Sequence, residues 1–272
     1  MIEEFILFAS LGIFAGLAAG MFGIGGGIIT VPVLVACFIG YGFDSGIIIH
    51  LAIGTSLACI FFTGLSSANA HRKKEAIDFL LFKQVGLGII LGAFLGAIFA
   101  IQLNSNILKT IIGIFVLFVA IQISFNLTYA NFAKKNNGSK KSYIVGTGIG
   151  FLSSILGIGG GILSVPYFKY LGLSMTSSIG TSAACGVPIA FFGALGYFVL
   201  GISNENLPSL TLGYIYLPAL FGITITSIIS AKYGADIAHY VSEHILKRLM
   251  VSLMLLISIY TVSYTHLRAH ET

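Results

Sequence analysis

Charged residues are scarce in this 272-residue chain: Asp, Glu, Lys and Arg make up 8% of it, whereas hydrophobic residues make up 57%. A soluble domain carries about a quarter charged residues, because charges cover its water-facing surface. The mean hydropathy of +1.00 points the same way. The composition therefore excludes a soluble globular protein and predicts an all-α polytopic membrane protein whose main surroundings are the lipid bilayer.

Cysteines and acidic residues are also few, and their positions exclude further classes. Cys37, Cys59 and Cys185 lie within apolar segments and form neither a CxxC metal pattern nor a disulfide framework. The sequence has no HExxH motif, and no Asp or Glu stands in the middle of an apolar run. A buried carboxylate is typical of proton- or sodium-driven carriers and would repel an anion. We therefore expect no metal and no cofactor, and the pattern favours an anion as the transported species.

The chain is basic, with a net charge of +5 and a pI near 9.1. Its Lys and Arg residues stand in short loops between apolar runs and are not interleaved with aromatic residues. Membrane topology explains this distribution better than a nucleic-acid partner does, so no nucleic-acid binding is expected.

Two motifs occur twice, in the same order. GIGGGIITVP at residues 23–32 returns as GIGGGILSVP at residues 157–166, and IGTSLAC at residues 53–59 returns as IGTSAAC at residues 179–185. A shorter match, ILKT and later ILKR, opens an apolar run in each half. Three matches in one order predict an internal duplication.

The duplication divides the chain into four parts. Residues 1–132 form the first transporter repeat, and residues 143–262 form the second. Between them, residues 133–142 (AKKNNGSKKS) are polar, basic and rich in helix breakers, which predicts a cytoplasmic linker. The polar tail at residues 263–272, SYTHLRAHET, is interpreted as a cloning scar and excluded from the fold prediction.

Two topologies fit the apolar runs. If each glycine cluster only kinks a helix that crosses fully, each half has four crossings and the halves run parallel. If each cluster is the tip of a re-entrant hairpin, each half has three crossings plus the hairpin, and the halves are inverted repeats. The parallel arrangement leaves Lys169, Lys232 and Lys247 opposite the basic linker, whereas the inverted one brings them to its side. Because cytoplasmic loops are rich in Lys and Arg, the charge distribution favours inverted repeats.

Each glycine cluster predicts an anion-binding site. A helix that starts after the cluster has free N–H groups at its first turn and partial positive charge from its dipole. Glycine lets the backbone approach a ligand, and paired Gly-interrupted segments in two halves are typical of transporter binding sites. Close helix packing is the alternative explanation, because small residues allow membrane helices to approach each other.

The candidate substrate-binding residues are the cluster glycines and the hydroxyls that follow them in each half. They are Gly23, Gly25, Gly26, Gly27, Thr30, Thr55 and Ser56 in the first half, and Gly157, Gly159, Gly160, Gly161, Ser164, Thr181 and Ser182 in the second. The hydroxyls are equally compatible with hydrogen bonds to their own or neighbouring helices.

The paired GIGGG…VP segments, the IGTS of each half, HRKKEAIDF and the later YIYLPALFGITITSIISAKYGADIAHYVSEHILKR together resemble the TauE/SafE family of membrane anion transporters. The resemblance covers nearly the whole chain. It implies a small anion, such as sulfite or an organosulfonate, exported across the cytoplasmic membrane of a bacterium.

The leading hypothesis is a secondary transporter that alternates access around the paired glycine clusters, and not an enzyme. A passive anion channel would share the same fold. An intramembrane serine hydrolase would need a Ser/His pair at depth, for which GLSSANAH at residues 64–71 offers the residue types at the end of a run. The exact anion, the direction, the coupling ion, the oligomeric state and the roles of Cys59 and Cys185 stay open.

Overall fold

A computed structural model of the chain describes residues 2–124 and 139–242, with a few single residues between 244 and 252. Residues 2–124 and 139–242 fold into nine helices and contain no strand. In chain order they are α1 (Ile2–Phe22), α2 (Gly27–Gly40), α3 (Ile48–Lys73), α4 (Phe79–Gln102), α5 (Ser105–Ser124), α6 (Ser139–Leu156), α7 (Gly161–Tyr170), α8 (Met175–Gly201) and α9 (Leu217–Tyr240). The all-helical fold is as predicted.

The predicted linker and tail fall mostly outside this description. α6 begins at Ser139, so the last four residues of the predicted linker belong to a helix. Residues 133–138 of the linker and the tail at 263–272 lie outside the described residues.

Helix length separates the spanning helices from the short ones. Within the described part, four helices are long and apolar enough to cross a membrane: α1, α3, α4 and α8. α2 has 14 residues and α7 has 10. At about 1.5 Å per residue these two helices are only about 21 and 15 Å long, shorter than the hydrocarbon core of about 30 Å.

Each short helix folds back along the helix before it. The ring of Tyr41, just after α2, lies 6.5 Å from the ring of Phe8 near the start of α1. The Tyr167 hydroxyl, late in α7, donates to Ser142 Oγ near the start of α6, at 3.2 Å. α1–α2 and α6–α7 are therefore two helical hairpins, with a glycine cluster at each tip.

The two halves interlock, because the first helix of each half packs along a helix of the other half. α1 packs against α9, α6 packs against α4, and α3 and α8 contact each other at the centre. Three glycines spaced by four residues lie on α1 and three on α4, and a side-chain carbon at any of them would collide with the facing helix. These glycines are Gly12, Gly16 and Gly20 on α1 and Gly88, Gly92 and Gly96 on α4.

The close α4–α6 contact gives a first prediction. A Cβ on Gly92 would collide with the Thr147 carbonyl of α6, whereas a Cβ on Gly86 of the same helix meets open space. We expect Gly92→Ala to destabilise the purified protein by about 1–3 kcal/mol through overpacking. Gly86→Ala should be neutral or stabilising by up to about 1 kcal/mol, because Ala is the better helix former. Thermal unfolding in detergent measures both, and equal midpoints for the two variants would contradict the packing.

Candidate functional site

The two glycine clusters, residues 23–27 and residues 157–161, have nearly the same backbone turn. Gly26 and Gly160 directly precede α2 and α7, with φ/ψ of 78/−11° and 79/−11°. Gly23 and Gly157 also have positive φ, at 66° and 68°. L side chains rarely adopt this left-handed conformation, so glycine is required for the chain to turn and start a helix here.

The tips of the two clusters contact each other. A Cβ built on Gly25 would lie 2.9 Å from the Gly159 Cα, and a Cβ on Gly159 would lie equally close to the Gly25 Cα. The Gly159 N–H donates to the Ile24 carbonyl at 3.2 Å, which joins the clusters through their backbones. The structure therefore brings the two sets of predicted glycines into one place.

Two serines connect the clusters in a reciprocal way. Ser56 of α3 donates its hydroxyl proton to the Gly157 carbonyl at 2.8 Å, and Ser182 of α8 donates to the Gly23 carbonyl at 3.0 Å. Both serines are fully buried. Each serine satisfies a carbonyl that the glycine turn of the other half leaves outside a helix, which is a structural use of the predicted hydroxyls.

The neighbouring threonines are also paired by the duplication. Thr55 Oγ1 accepts from the Tyr216 N–H, and Thr181 Oγ1 accepts from the Asp78 N–H, both at 2.9 Å. Tyr216 and Asp78 are the residues before α9 and α4. The threonines therefore hold the starts of two helices, some distance in sequence from the glycine turns.

The hydroxyls behind the clusters face inward. Thr30 of α2 donates to the Gly26 carbonyl at 3.1 Å. Ser164 of α7 donates to Ser182 Oγ at 2.7 Å. Ser164 thus extends the hydrogen-bond chain that ends at the Gly23 carbonyl.

A small cleft of about 190 Å³, including the space at its mouth, opens beside the first cluster. It lies on the side of the clusters toward the Lys73 end of α3. Its lining residues are Ala19, Gly23, Gly25, Ile60, Gly64, Ser67, Ala183 and Gly186.

The corresponding position beside the second cluster is filled. Leu57 occupies the place in α3 that Ala183 has in α8, and its Cδ1 would lie 2.9 Å from a Cβ on Gly193. The buried hydroxyls of Ser153 and Ser154 on that side have no hydrogen-bond partner in the described part of the chain. The surroundings of the two clusters therefore differ: beside the second cluster, Leu57 lies at the position that Ala183 has in the lining of the cleft.

The cleft is uncharged. Its lining consists of small and apolar residues with one hydroxyl, that of Ser67, which donates to the Ala19 carbonyl at 3.3 Å. No side-chain cap occupies the first turn of α2 or α7. The polar groups that line the cleft are the Ser67 hydroxyl and the backbone of the small residues, Gly23 and Gly25 among them. The starts of α2 and α7 lie against the opposite glycine cluster instead, where Gly27 faces Gly157 and Gly161 faces Gly23.

No metal site is found among the described residues, where no group of three His, Cys, Asp or Glu side chains comes together. Cys59 and Cys185 are both buried in the packed interior, and neither lines the cleft.

Of the eight residues that line the cleft, sequence reasoning predicted Gly23 and Gly25 and missed the other six, among them Gly64, Ser67 and Gly186. Gly186 directly follows the repeated IGTSAAC, and Gly64 and Ser67 are small residues three apart on α3. Their spacing on one face of a helix was the available signal, but small residues are common in membrane helices and do not distinguish a cleft from a packing contact.

The chain is similar to several curated proteins. It is 36% identical over 233 residues to a "Probable membrane transporter protein" of Haemophilus influenzae, which covers 85% of this chain and 88% of that protein. It is 27% identical over 256 residues to one of Methanocaldococcus jannaschii, covering 92% and 94%. "Probable membrane transporter protein YunE" of Bacillus subtilis is 31% identical over 190 residues, covering 62% and 68%. No solved structure matches the chain.

The apolar spanning helices and these relatives define a multi-pass membrane transporter. The family described as "Sulfite exporter TauE/SafE" matches residues 8–261. The chain belongs to this family, as its repeated motifs predicted.

The reciprocal serine bonds give a second prediction. We expect Ser56→Ala and Ser182→Ala each to destabilise the protein by about 1–3 kcal/mol, because each leaves a buried carbonyl unpaired. Ser10→Ala is the control, since Ser10 is exposed and bonds only within its own helix. Thermal unfolding in detergent is the measurement. Unchanged stability in both variants would contradict a structural role for these hydroxyls.

Proposed function

We propose that the protein is a secondary transporter that exports a small sulfur-containing anion, such as sulfite or an organosulfonate. The observation that carries the proposal is the direct contact between the two glycine clusters beside an uncharged cleft. We propose that the anion binds there, at the backbone N–H groups of the helix starts and the clusters that contain the predicted residues.

The electrostatics of the interior support an anion. The buried polar side chains of the described residues are hydroxyls apart from His50 and His71, and none is a carboxylate. A helix N-terminus in a low-dielectric interior attracts negative charge, and two such ends meet here.

The choice of a sulfur-containing anion and of export comes from the family description, "Sulfite exporter TauE/SafE". The space enclosed in the cleft holds about one water molecule. We propose that the glycine clusters separate to admit the anion.

We propose that the halves are inverted repeats, each with a re-entrant hairpin. The directions of the two central helices support this arrangement. α3 and α8 occupy matching places in the two halves, and they run antiparallel, since Leu57 lies beside Gly193 and Gly64 beside Val187. Parallel halves would give these two helices the same direction.

The hairpins are deep. The last turn of α1 reaches the end of α3, where His71 Nε2 lies 2.9 Å from the Gly20 carbonyl, and α2 then returns to the side of Phe8. In this arrangement α3 ends on the cytoplasmic side and both the linker and the α7–α8 loop lie there, in accordance with the positive-inside rule.

Cysteine accessibility tests the topology. In a background with Cys37, Cys59 and Cys185 replaced by alanine, inverted repeats place Glu75→Cys and Ser174→Cys on the cytoplasmic side. Both should resist a membrane-impermeant maleimide added to intact cells. Glu205→Cys, at the far end of α8, should react. Parallel halves predict the reverse for Ser174→Cys and Glu205→Cys, so labelling of Ser174→Cys from outside would contradict inverted repeats.

Alternating access fits the asymmetry of the cleft better than a passive channel does. The cleft lies on the Lys73 side of the clusters, and at the matching position on the other side Leu57 replaces the small Ala183. A carrier must close one side while the other is open, whereas a channel needs a continuous path.

The histidine and serines of residues 64–71 do not support a hydrolase. Ser66 and Ser67 donate to the carbonyls of Ile228 and Ala19. The ring of His71 contacts His239 and the Gly20 carbonyl instead of a serine.

Filling the cleft tests the site. A Cβ on Gly64 meets only Val187 at an ordinary distance of 3.5 Å, so a larger side chain can enter the cleft without a backbone clash. We expect Gly64→Leu to fold but to lower sulfite release from proteoliposomes by about tenfold or more, equivalent to about 1.4 kcal/mol in the barrier. Gly86→Leu on α4, where a Cβ meets open space, is the matched control.

Two results of this experiment would decide between the alternatives. If Gly64→Leu elutes like the wild type on size-exclusion chromatography and releases sulfite at an unchanged rate, the cleft is not the binding site. If sulfite added on the opposite side of the membrane accelerates sulfite release by the wild type, the result supports a carrier. If it does not, the result favours a channel.

A further inference from the structure

Two histidines, His71 and His239, form a hydrogen-bonded pair beside the cleft that the proposed anion site does not use. His71 Nδ1 and His239 Nε2 are 3.0 Å apart, and the ring centroids are separated by 5.1 Å. His71 is fully buried and His239 is half-buried. The pair joins α3 to α9 at the cytoplasmic ends that the topology predicts.

The pair is connected to the wall of the cleft. His71 Nε2 donates to the Gly20 carbonyl, and Gly20 adjoins Ala19, which lines the cleft. Ser67, one helical turn before His71, lines it as well. A charge on the pair would therefore sit beside the mouth of the cleft.

The hydrogen bonds fix the tautomers. A carbonyl only accepts, so the His71 Nε2 must carry the hydrogen that bonds to Gly20. In the neutral ring the His71 Nδ1 is then an acceptor, and the His239 Nε2–H must be the donor to it. His239 Nδ1 is left as the acceptor for an incoming proton, on the half-buried ring.

The pair can hold one proton but not two. After one proton binds at His239 Nδ1, the imidazolium still donates from Nε2 to His71, so the hydrogen bond is kept and strengthened. A second proton on His71 Nδ1 would set two donors and two positive charges 3.0 Å apart.

The other charged groups around the pair are mostly positive. Lys74 of α3 and Asp236 of α9 form an ion pair at 2.6 Å. Lys232 of α9 lies one turn before Asp236, and Arg72 and Lys73 beside His71 are exposed. α1 contributes only the Gly20 carbonyl. One proton on the histidines therefore adds to surroundings that are already positive, and, unlike the lysines and the arginine, the pair can gain and lose its charge.

The second half lacks such a group. Tyr197 occupies the place in α8 that His71 has in α3, and its hydroxyl lies 3.5 Å from the Ser154 carbonyl, the counterpart of Gly20. In both halves, a side-chain donor therefore contacts a carbonyl in the last turn of the helix that precedes the glycine cluster. Only the half with the cleft uses a side chain that can take up a proton here.

We propose that the His71–His239 pair binds one proton that is transported together with the anion. This inference rests on the proposed function and adds its coupling ion. The proton supplies positive charge beside the cleft, so proton binding and anion binding strengthen each other by the same factor. The gradients of the anion and of the proton then set the direction of net transport together.

Methanesulfonate is the probe, because its single charge does not change between about pH 5.5 and about pH 7.5, the range in which histidine titrates. Proteoliposomes containing a pH-sensitive dye are given a methanesulfonate gradient, and sulfonate and proton movement are recorded together. In the wild type we expect one proton to move with each sulfonate, and the apparent affinity to rise about fivefold or more on acidification.

His71→Gln is the decisive variant, because its amide can donate to Gly20 and accept from His239 but takes up no proton. We expect it to fold and to move sulfonate without protons and without the affinity change. His50→Gln is the matched control: His50 is a buried histidine at the other end of α3 that bonds to the Ala100 and Leu103 carbonyls. It should keep the proton coupling.

The outcomes are distinguishable. Sulfonate movement without protons in the wild type would overturn the coupling and leave the proposed function intact. Wild-type proton movement in a folded His71→Gln variant would assign the pair to structure alone and overturn the inference. No sulfonate movement in the wild type would overturn the proposed function for this anion and the inference with it.

Discussion

Two backbone carbonyls, those of Gly23 and Gly157, constrain the centre of this protein. Each belongs to a turn that leaves helical geometry inside a membrane protein, where an unpaired carbonyl costs several kcal/mol. Each accepts a hydroxyl proton from the opposite half: the Gly23 carbonyl from Ser182 and the Gly157 carbonyl from Ser56. This exchange requires the two clusters to touch, and contact in turn requires glycine at Gly25 and Gly159.

Much of this arrangement follows from the sequence, because the requirements are local. A left-handed backbone conformation just before a helix favours glycine at that position. The sequence meets this requirement twice, in the two GIGGG motifs. The hydrogen-bond partners of the hydroxyls do not follow from the sequence, because a buried serine can donate equally well to a ligand or to a backbone carbonyl. Thr55 and Thr181 lie next to those serines, yet they hold the starts of α9 and α4 instead.

The two halves differ at positions that the repeated glycine motifs do not reveal. Within the repeated segments the halves are almost identical, and on that evidence two equal sites would be expected. The differences lie at positions outside the glycine clusters, where Leu57 stands against Ala183 and His71 against Tyr197. Their effect depends on which residues face each other across the interface, and a single sequence does not contain that information. The different surroundings of the two clusters therefore emerge only from the three-dimensional packing.

A site built from helix ends must attract an anion and also let it go. Two helix starts supply partial charges that are fixed in place, so they cannot weaken when the ligand has to leave. A titratable group beside the site removes this difficulty, because its charge comes and goes with a proton. The His71–His239 pair stands at the mouth of the open cleft, bonded to the helix that ends in the first cluster. In the proposed coupling, this position provides a variable charge next to a fixed dipole, and that combination would allow the affinity for the anion to differ between the two sides of a membrane.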